Sequence, residues 1–243
     1  MNRQNKDTKI TAVLFDWDLT LAHVTDIETY SERLQAIFRA GGLDFSLTDI
    51  EAAMRSYQID TATLKLPILP GVPQTQNDIT NYYRDILWRM GYVNQDDAFF
   101  DRLYDVFAEL PVTMYGAALP LLERLSQQGV QLGIITNHSR FIRPVAERHV
   151  GHFIPSEHVV ISQELQIDKP AAAIFRYAAT QLKTPPANCL FVGDNLYVDA
   201  IGAVENGGYG TGLWIDRKET RTNRLPPEHV HRITSLSQVV DFV

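Results

Sequence analysis

A short apolar run near the N-terminus ends in two aspartates, and this junction constrains the fold more than any other stretch. Residues 12–15 read Ala-Val-Leu-Phe, and Asp16, Asp18 and Thr20 follow at alternate positions. Four apolar residues are too few for a helix, but they suit a strand that is buried on both faces, as in a parallel sheet. Open α/β sheets bind ligands at the carboxyl ends of such strands. The stretch therefore predicts a ligand site at Asp16 and Asp18.

Two carboxylates separated by one residue repel each other. Such a pair needs a metal ion or one shared proton to be tolerated at the end of a buried strand. A plain strand-to-turn junction is the alternative interpretation, because Asp is common in turns. The rest of the chain has to decide between the two.

The composition argues against several kinds of partner. The chain has 243 residues, of which 45% are hydrophobic and 21% are charged, as expected for a globular protein with a substantial core. A net charge of −7 argues against nucleic acid or an anionic membrane as the main partner. No apolar stretch approaches the roughly 20 residues that span a bilayer, and residues 1–9 lack an apolar signal segment. We expect a cytoplasmic protein with a frayed N-terminal tail; its oligomeric state stays open.

The single cysteine, Cys189, lies in an apolar run over residues 189–192. One cysteine excludes an intrachain disulfide and is typical of a reducing compartment. We interpret Cys189 as a small buried hydrophobic residue rather than as a reactive thiol.

Residues 21–115 show the periodicity of a helical insertion. Apolar residues recur at steps of three and four in four segments, at 30–38, 50–57, 79–87 and 99–110. Gly41-Gly42 stops the first segment, residues 46–49 cap the second, and Pro111 follows the fourth. Three prolines make residues 65–73 a predicted loop. No buried strand is predicted between residues 26 and 110, and the aromatic residues of this region are expected to pack its helices together.

Beyond Gly116, predicted helices and strands alternate. Strands are predicted at 130–135, 158–161, 189–192 and 209–215, the last of these being the final core strand, and helices at 117–128, 140–149, 171–182, 196–205 and 235–242. Repeated strand–helix units predict an α/β fold with a parallel sheet covered on both faces. Residues 1–20 and 116–243 would form this doubly wound, Rossmann-like core, and residues 21–115 an inserted α-helical cap domain. A mild basic cluster, Arg217, Lys218, Arg221 and Arg224, is interpreted as a solvated loop.

Polar groups follow four of the predicted strands. They are Asp16 and Asp18, then Thr136-Asn137, then Lys169 at the end of a loop, and finally Gly193-Asp194. The carboxyl ends of strands in a doubly wound sheet converge on one crevice. Carboxylates with a hydroxyl and one lysine suit phosphoryl transfer, because the charge on the phosphoryl oxygens needs a metal, a cation and hydrogen-bond donors together.

These residues resemble the four motifs of the haloacid dehalogenase superfamily of hydrolases, in its phosphatase-type members with a helical cap. Asp-x-Asp-x-Thr matches residues 16–20, the motif Thr or Ser matches Thr136, the motif lysine matches Lys169, and Gly-Asp-x-x-x-x-Asp matches residues 193–199. The resemblance covers nearly the whole chain, although the cap matches only in type and position. Leu19 stands where the family usually has glycine, which leaves the turn after Asp18 open.

The resemblance implies a chemical role for each catalytic position. Asp16 would attack phosphorus and form an aspartyl-phosphate. Asp18 would protonate the leaving oxygen and then activate the water that breaks the intermediate. Thr136, together with Asn137, would bind the phosphoryl group, and Lys169 would pair with both that group and Asp16.

The resemblance also implies a magnesium site. Mg²⁺, which favours oxygen ligands, would be held by Asp16, the backbone carbonyl of Asp18 and the carboxylate of Asp194. Asp199 would orient Lys169 or a metal-bound water rather than touch the ion.

The leading hypothesis is a Mg²⁺-dependent phosphomonoester hydrolase of a small phosphorylated metabolite. A phosphomutase would use the same residues, and a haloacid dehalogenase would use the same nucleophile without Asp18, since halide leaves without a proton. A phospho-accepting signalling module or a non-catalytic scaffold is the non-enzymatic alternative, although a receiver domain is shorter and lacks the cap. Whether His23, His138, Ser139 or Arg140 contacts the substrate stays open, with a loop or capping role preferred.

Overall fold

The computed structural model describes residues 9–64, 76–94, 96–217 and 226–243. Residues 1–8 of the predicted tail, the predicted loop at 65–73, and Lys218, Arg221 and Arg224 of the basic cluster lie outside these ranges. Over the described ranges, no helix combines the length and the apolar composition needed to cross a membrane.

A six-stranded parallel sheet forms the core, as the alternation of elements predicted. The described strands in chain order are β1 Ala12–Phe15, β2 Ala22–Val24, β3 Val112–Met114, β4 Gln131–Thr136, β5 Val159–Ile161, β6 Cys189–Gly193, β7 Thr211–Ile215 and β8 Val230–Ile233. Of these, β2 and β3 lie outside the six-stranded sheet. The sheet order is β5-β4-β1-β6-β7-β8, and every neighbouring pair is parallel. β1 therefore lies between β4 and β6, near the middle of the sheet.

The helices divide between the two faces of the sheet and the insertion. They are α1 Tyr30–Ala40, α2 Leu47–Leu64, α3 Gln76–Arg89, α4 Asp97–Glu109, α5 Ala118–Gln127, α6 Ile142–Val150, α7 Ser162–Leu165 and α8 Ala172–Gln181. A helix with π-type hydrogen bonding follows β6 at Leu196–Gly207, and short 3₁₀ helices lie at Ser156–His158, Pro186–Asn188 and Leu236–Phe242.

The continuous apolar run of β1 is explained by its two buried faces. Val13 and Phe15 pack in the cluster that contains residues of α5 and α6, whereas Ala12 and Leu14 pack in the cluster that contains residues of α8. Successive strand residues point to opposite faces of a sheet, so a strand covered on both sides has to be apolar at every position. Cys189 is buried in the second cluster, as predicted.

The four helices of the insertion have a hydrophobic core of their own. It includes Leu34 and Phe38 of α1, Ile50 of α2, Ile86 of α3 and Phe100 of α4. The bounds follow local sequence signals: a capping box of Thr29 and Glu32 opens α1, and Asp96 caps α4. The predicted helical cap is therefore confirmed as part of the fold.

One strand prediction needs correction, and one pair of strands was not predicted. The prediction that 209–215 is the last core strand was wrong, because β8 pairs with β7 from Gly212–Val230 to Ile215–Ile233. β8 is an edge strand whose two middle residues, His231 and Arg232, are exposed. An edge strand with polar, exposed positions lacks the hydrophobic periodicity by which a strand is predicted from sequence. The insertion is also joined to the core by a small antiparallel ladder of β2 and β3, which are too short to show a pattern.

Candidate active site

The predicted site residues of three strands meet at the carboxyl edge of the sheet. Asp16 follows β1, Thr136 ends β4 and Asp194 follows β6, and these strands are direct neighbours. Lys169 reaches the same edge from the loop after α7. Together they line one cavity of about 420 Å³ that is bounded by core and cap residues. Asp18, Asn137 and Asp199 also line it.

Lys169 connects two of the carboxylates. Its Nζ lies 2.7 Å from Oδ1 of Asp16 and 2.7 Å from Oδ1 of Asp199, and its side chain is only 2% exposed. The hydroxyl of Thr20 donates to Oδ2 of Asp16 at 3.2 Å. Burying an ammonium group is costly unless it is paired, so the two carboxylates account for Lys169 in this position. Although burial alone would lower it, the two carboxylates keep the pKa of Lys169 raised.

The residues after β6 explain how Asp199 reaches Lys169. A Cβ at Gly193 would lie 2.3 Å from the carboxyl group of Asp199, so only glycine leaves room there. The side chain of Asn195 caps the following helix by accepting from the backbone N–H groups of Tyr197 and Val198 at 3.0 Å. The backbone N–H of Asn195 donates to Oδ2 of Asp199 at 3.0 Å. The Gly-Asp-Asn turn thus places the Asp199 carboxylate beside the lysine.

Asp16, Asp194 and Asp199 form an acidic cluster. One oxygen of each lies within 4.8 Å of the others. Burial raises the pKa of Asp194 to about 7, and the neighbouring charge of Asp199 adds to the effect. Burial also raises the pKa of Asp16 well above its ordinary value, against the opposing effect of Lys169. One ammonium does not neutralise three carboxylates, and the oxygen donors fit a hard divalent cation such as Mg²⁺.

Asn137 is bound to the main chain of Lys169. Its Nδ2 donates to the Lys169 carbonyl at 2.9 Å, and its Oδ1 accepts from the Lys169 backbone N–H at 2.8 Å. This pair of hydrogen bonds fixes the loop from which the lysine projects. The predicted contact of Asn137 with a phosphoryl group stays a prediction.

Asp18 points away from the acidic cluster and toward the cap. Arg33 of α1 donates to both of its oxygens, from Nη2 to Oδ1 at 2.7 Å and from Nη1 to Oδ2 at 3.4 Å. Nε2 of His138 lies 3.6 Å from Oδ2 of Asp18. Although burial alone would raise it, Arg33 and His138 bring the pKa of Asp18 below its ordinary value. The conformation therefore stabilises the ionised form of this carboxyl group.

The four residues whose roles were left open separate into two pairs. His138 and Ser139 line the cavity, and the ring of His138 stacks on Phe107 of α4 with centroids 5.2 Å apart. Burial lowers the pKa of His138, against the effect of Asp18. His23 packs on Tyr115 instead, and Arg140 lines a separate surface cavity.

Two arginines at the site were missed by the sequence interpretation. Arg33 lies on the apolar stripe of α1, three residues after Tyr30 and one before Leu34, and a charge in that position was the available signal. Arg217, placed in a solvated loop by the interpretation, lies 3.7 Å over the ring of Tyr115 and donates to the backbone carbonyls of Leu19 and Thr20. It follows β7 at the same edge of the sheet as the predicted site residues.

The turn after Asp18 has the backbone conformation that favours glycine. Leu19 has φ = 56°, in the left-handed region that side chains disfavour. Arg217 stabilises this turn through its hydrogen bonds to the carbonyls of Leu19 and Thr20, of which the second measures 2.8 Å. The motif loop thus keeps a glycine-like shape without a glycine.

The fold and the site together define an α/β enzyme with a carboxylate- and lysine-containing centre at the carboxyl edge of a Rossmann-like sheet. The family model described as haloacid dehalogenase-like hydrolase matches residues 10–207, and the chain belongs to this family. The predicted family membership is therefore confirmed.

Relatives of known activity include both phosphatases and dehalogenases. A ribulose-1,5-bisphosphate 5-phosphatase of Halopiger xanaduensis is 27% identical over 241 residues, which cover 96% of this chain and 99% of that protein. An (S)-2-haloacid dehalogenase of Pseudomonas putida is 26% identical over 150 residues, which cover 61% of this chain and 63% of the dehalogenase. The chain thus spans less than two thirds of that dehalogenase.

Solved structures share the fold over nearly their whole length. The L-2-haloacid dehalogenase RSc1362 has a TM-score of 0.70 at 21% identity, covering 97% of this chain and 99% of its own. The magnesium-bound structure of YfnB from Bacillus subtilis has a TM-score of 0.71 at 16% identity, covering 96% of this chain and 98% of its own.

Proposed function

We propose that the protein is a Mg²⁺-dependent phosphomonoester hydrolase that acts on a small phosphorylated molecule. The observation that carries the proposal is the second carboxyl group, Asp18, at the cavity that also holds the Asp16–Asp194–Asp199 cluster. Displacement of an alkoxide needs a proton donor for the leaving oxygen and a counter-charge for the phosphoryl group. Displacement of halide from carbon needs neither.

In the proposed first step, an Asp16 oxygen attacks phosphorus and the bond from phosphorus to the leaving oxygen breaks. Lys169 holds the Asp16 carboxylate and pairs with a phosphoryl oxygen, and Thr136 donates a hydrogen bond to the same group. Asp18 gives its proton to the leaving oxygen, so an alcohol and an aspartyl-phosphate on Asp16 result. Asp16, Asp194 and Asp199 would hold a divalent cation, which would supply charge neutralisation for the phosphoryl oxygens when bound.

In the second step, Asp18 takes a proton from water as that water attacks phosphorus. The bond between phosphorus and the Asp16 oxygen breaks, so that inorganic phosphate is released and the free Asp16 carboxylate is restored. The ionised Asp18 that Arg33 favours is the form that this second step requires, whereas the first step requires the protonated form, which the contact with Arg33 opposes.

The comparisons support this choice of chemistry. Halopiger ribulose-1,5-bisphosphate 5-phosphatase matches the chain almost end to end, whereas the Pseudomonas dehalogenase matches about three fifths of it. The magnesium bound in YfnB supports the proposed cofactor.

For the cap domain we propose residues 21–115, on the ground that α1–α4 share their own core. Cytoplasmic location stays a prediction.

Release of p-nitrophenol from p-nitrophenyl phosphate tests the proposal. We expect the wild type to hydrolyse it with Mg²⁺ and to stop when a chelator is added. Asp16→Asn should lose activity by about a thousandfold or more, because the nucleophile is gone. Asp44→Asn, a change at an exposed aspartate of the cap, is the matched control and should keep full activity.

The dehalogenase alternative is tested in the same preparation with (S)-2-chloropropionate and a chloride assay. Chloride release without any phosphatase activity would overturn the proposal. Undiminished phosphatase activity of Asp16→Asn would overturn the assignment of the nucleophile.

A further inference from the structure

We propose that Arg33 binds the substrate, and that the substrate therefore carries a second anionic group, a carboxylate or a phosphate, on its leaving-group side. This inference rests on the proposed phosphatase function and names the class of substrate for it. It assigns a specificity-determining role to a cap residue whose guanidinium lies beside Asp18 rather than beside Asp16.

Arg33 is the one cation among the described cap side chains that line the cavity. The cap and linker side chains that line it are those of Ile27, Thr29, Tyr30, Arg33, Met54, Gln58 and Phe107. These lining residues include no carboxylate. Lys169, on the core side, is bound to Asp16 and Asp199 and serves the transferred phosphoryl group in the proposed reaction. Among the cap and linker residues that the structure describes at this cavity, a leaving group therefore meets hydroxyl, amide and apolar groups and one positive charge.

The guanidinium of Arg33 is held in place before any ligand arrives. Its side chain is 9% exposed. Its Cζ lies 5.5 Å from the ring centroid of Tyr30 and 6.0 Å from that of Phe107. Aromatic faces restrict a guanidinium to a plane and leave its edge for hydrogen bonding. Little conformational entropy remains to be lost when an anion binds, which favours affinity.

Asp18 leaves part of this edge available. Its two contacts involve one N–H each of Nη1 and Nη2, whereas a guanidinium has five N–H donors. Arg33 can therefore bind Asp18 and a ligand anion together. A planar, forked donor set is suited to carboxylate and phosphate oxygens.

The position of Arg33 assigns the anion to the leaving group. Asp16, Thr136 and Lys169 come from the core and surround the proposed phosphoryl position. Asp18 lies next to these residues, and its Oδ1 is 2.7 Å from Nη2 of Arg33, which belongs to the cap. Because Asp18 serves the leaving oxygen in the proposed reaction, the group that reaches Arg33 belongs to the alcohol and not to the transferred phosphoryl group.

Steady-state kinetics with three matched phosphate esters test the inference. They are propyl phosphate, the phosphate ester of 3-hydroxypropionate, and propane-1,3-diol bisphosphate, which differ only in the far end of a three-carbon chain. For the wild type we expect a kcat/KM at least about tenfold higher for one or both anionic esters than for propyl phosphate. The preferred ester distinguishes a carboxylate from a second phosphate.

Variants separate substrate binding by Arg33 from its contact with Asp18. Arg33→Met should bring the ratio of kcat/KM for an anionic ester to kcat/KM for propyl phosphate close to one. Arg33→Lys should keep part of the preference because the charge remains. Loss of the Asp18 contact affects all three esters alike and cancels in the ratio. Arg39→Met, at an exposed arginine of the same helix, is the control and should leave the ratio unchanged.

A binding measurement without turnover gives an independent test. By calorimetry, 3-phosphonopropionate should bind the wild type more tightly than propylphosphonate, and Arg33→Met should lose the difference while still binding propylphosphonate. Equal affinities in the wild type, or an unchanged difference in Arg33→Met, would overturn the inference. If the wild type hydrolyses all three esters equally, this inference fails while the phosphatase function stands; if it hydrolyses no phosphate ester, the phosphatase function fails.

Discussion

At the scale of single residues, the site depends on the balance between Lys169 and the carboxylates around it. Asp16 and Asp199 each take one 2.7 Å contact from the lysine, and no cation of the described residues contacts Asp194 in the same way. Removing one partner of a buried ion pair is costly because the other charge stays buried. Burial and the neighbouring charge of Asp199 raise the pKa of Asp194, so cation binding at this carboxyl group depends on pH.

Mg²⁺ binding should weaken as the pH falls below about 7. Because burial raises the pKa of Asp194 to about 7, its carboxyl group holds a proton below that pH, and a cation has to displace it. The Mg²⁺ affinity should fall by up to about tenfold per pH unit for this one proton. Calorimetric titration with Mg²⁺ at about pH 5.5 and about pH 8 measures it.

The stability of the metal-free protein should change in the opposite direction. The folded pKa of Asp194 lies above the unfolded value of about 3.9, so the folded state binds more protons between those limits. The free energy of unfolding should therefore decrease as the pH rises from about 4 to about 7. Asp194→Asn removes this contribution and is the control. For the Mg²⁺ titration, equal affinity of the wild type at about pH 5.5 and about pH 8 would contradict the predicted competition between the proton on Asp194 and the cation.

At the scale of elements, the site depends on how closely the helix after β6 approaches the strand. Gly193 ends β6, and the carboxyl group of Asp199 occupies the space in which a Cβ would lie. Trp214 of β7 supports the same turn, since its Nε1 donates to the Asp194 carbonyl at 2.9 Å. The glycine thus has a packing role that is separate from backbone flexibility.

Gly193→Ala should displace Asp199 from Lys169. A methyl group 2.3 Å from the carboxyl group forces one of them to move, at a cost of about 1–3 kcal/mol. Urea unfolding measures the loss in free energy, and the phosphatase assay should show reduced kcat. Gly116→Ala is the matched control, since nothing lies within 4 Å of a Cβ there. Equal stability of the two variants would contradict this role for Gly193.

The elements also show what could be predicted from sequence. The run of β1 and the strand-end positions of Asp16, Thr136 and Asp194 follow from local pattern plus the rule that parallel strand ends share one edge. β8 could not be found in this way, because an edge strand with His231 and Arg232 exposed lacks the apolar signal. The contacts of Arg217 depend on which carbonyls the turn at Leu19 presents, and periodicity does not encode that.

At the scale of the whole molecule, the cap completes a site that the sheet begins. The core supplies Asp16, Thr136 and Lys169, and α1 brings Arg33 to Asp18 across the cavity. Motif spacing predicted the core half, because those positions are fixed by the sheet. The cap half depends on how the insertion packs over the sheet, which no local pattern fixes. Arg33 was therefore beyond the reach of sequence interpretation.

In the proposed mechanism Asp16 becomes covalently phosphorylated, and trapping that species is the decisive test. Enzyme quenched during turnover of p-nitrophenyl phosphate with Mg²⁺ is treated with borohydride, which reduces an aspartyl-phosphate to homoserine. Peptide mass spectrometry then locates the change. We expect homoserine at position 16, and a larger fraction in Asp18→Asn, because that variant still forms the intermediate from a good leaving group but activates water poorly. Phosphate release without homoserine at position 16, or with the modification at another residue, would contradict the account.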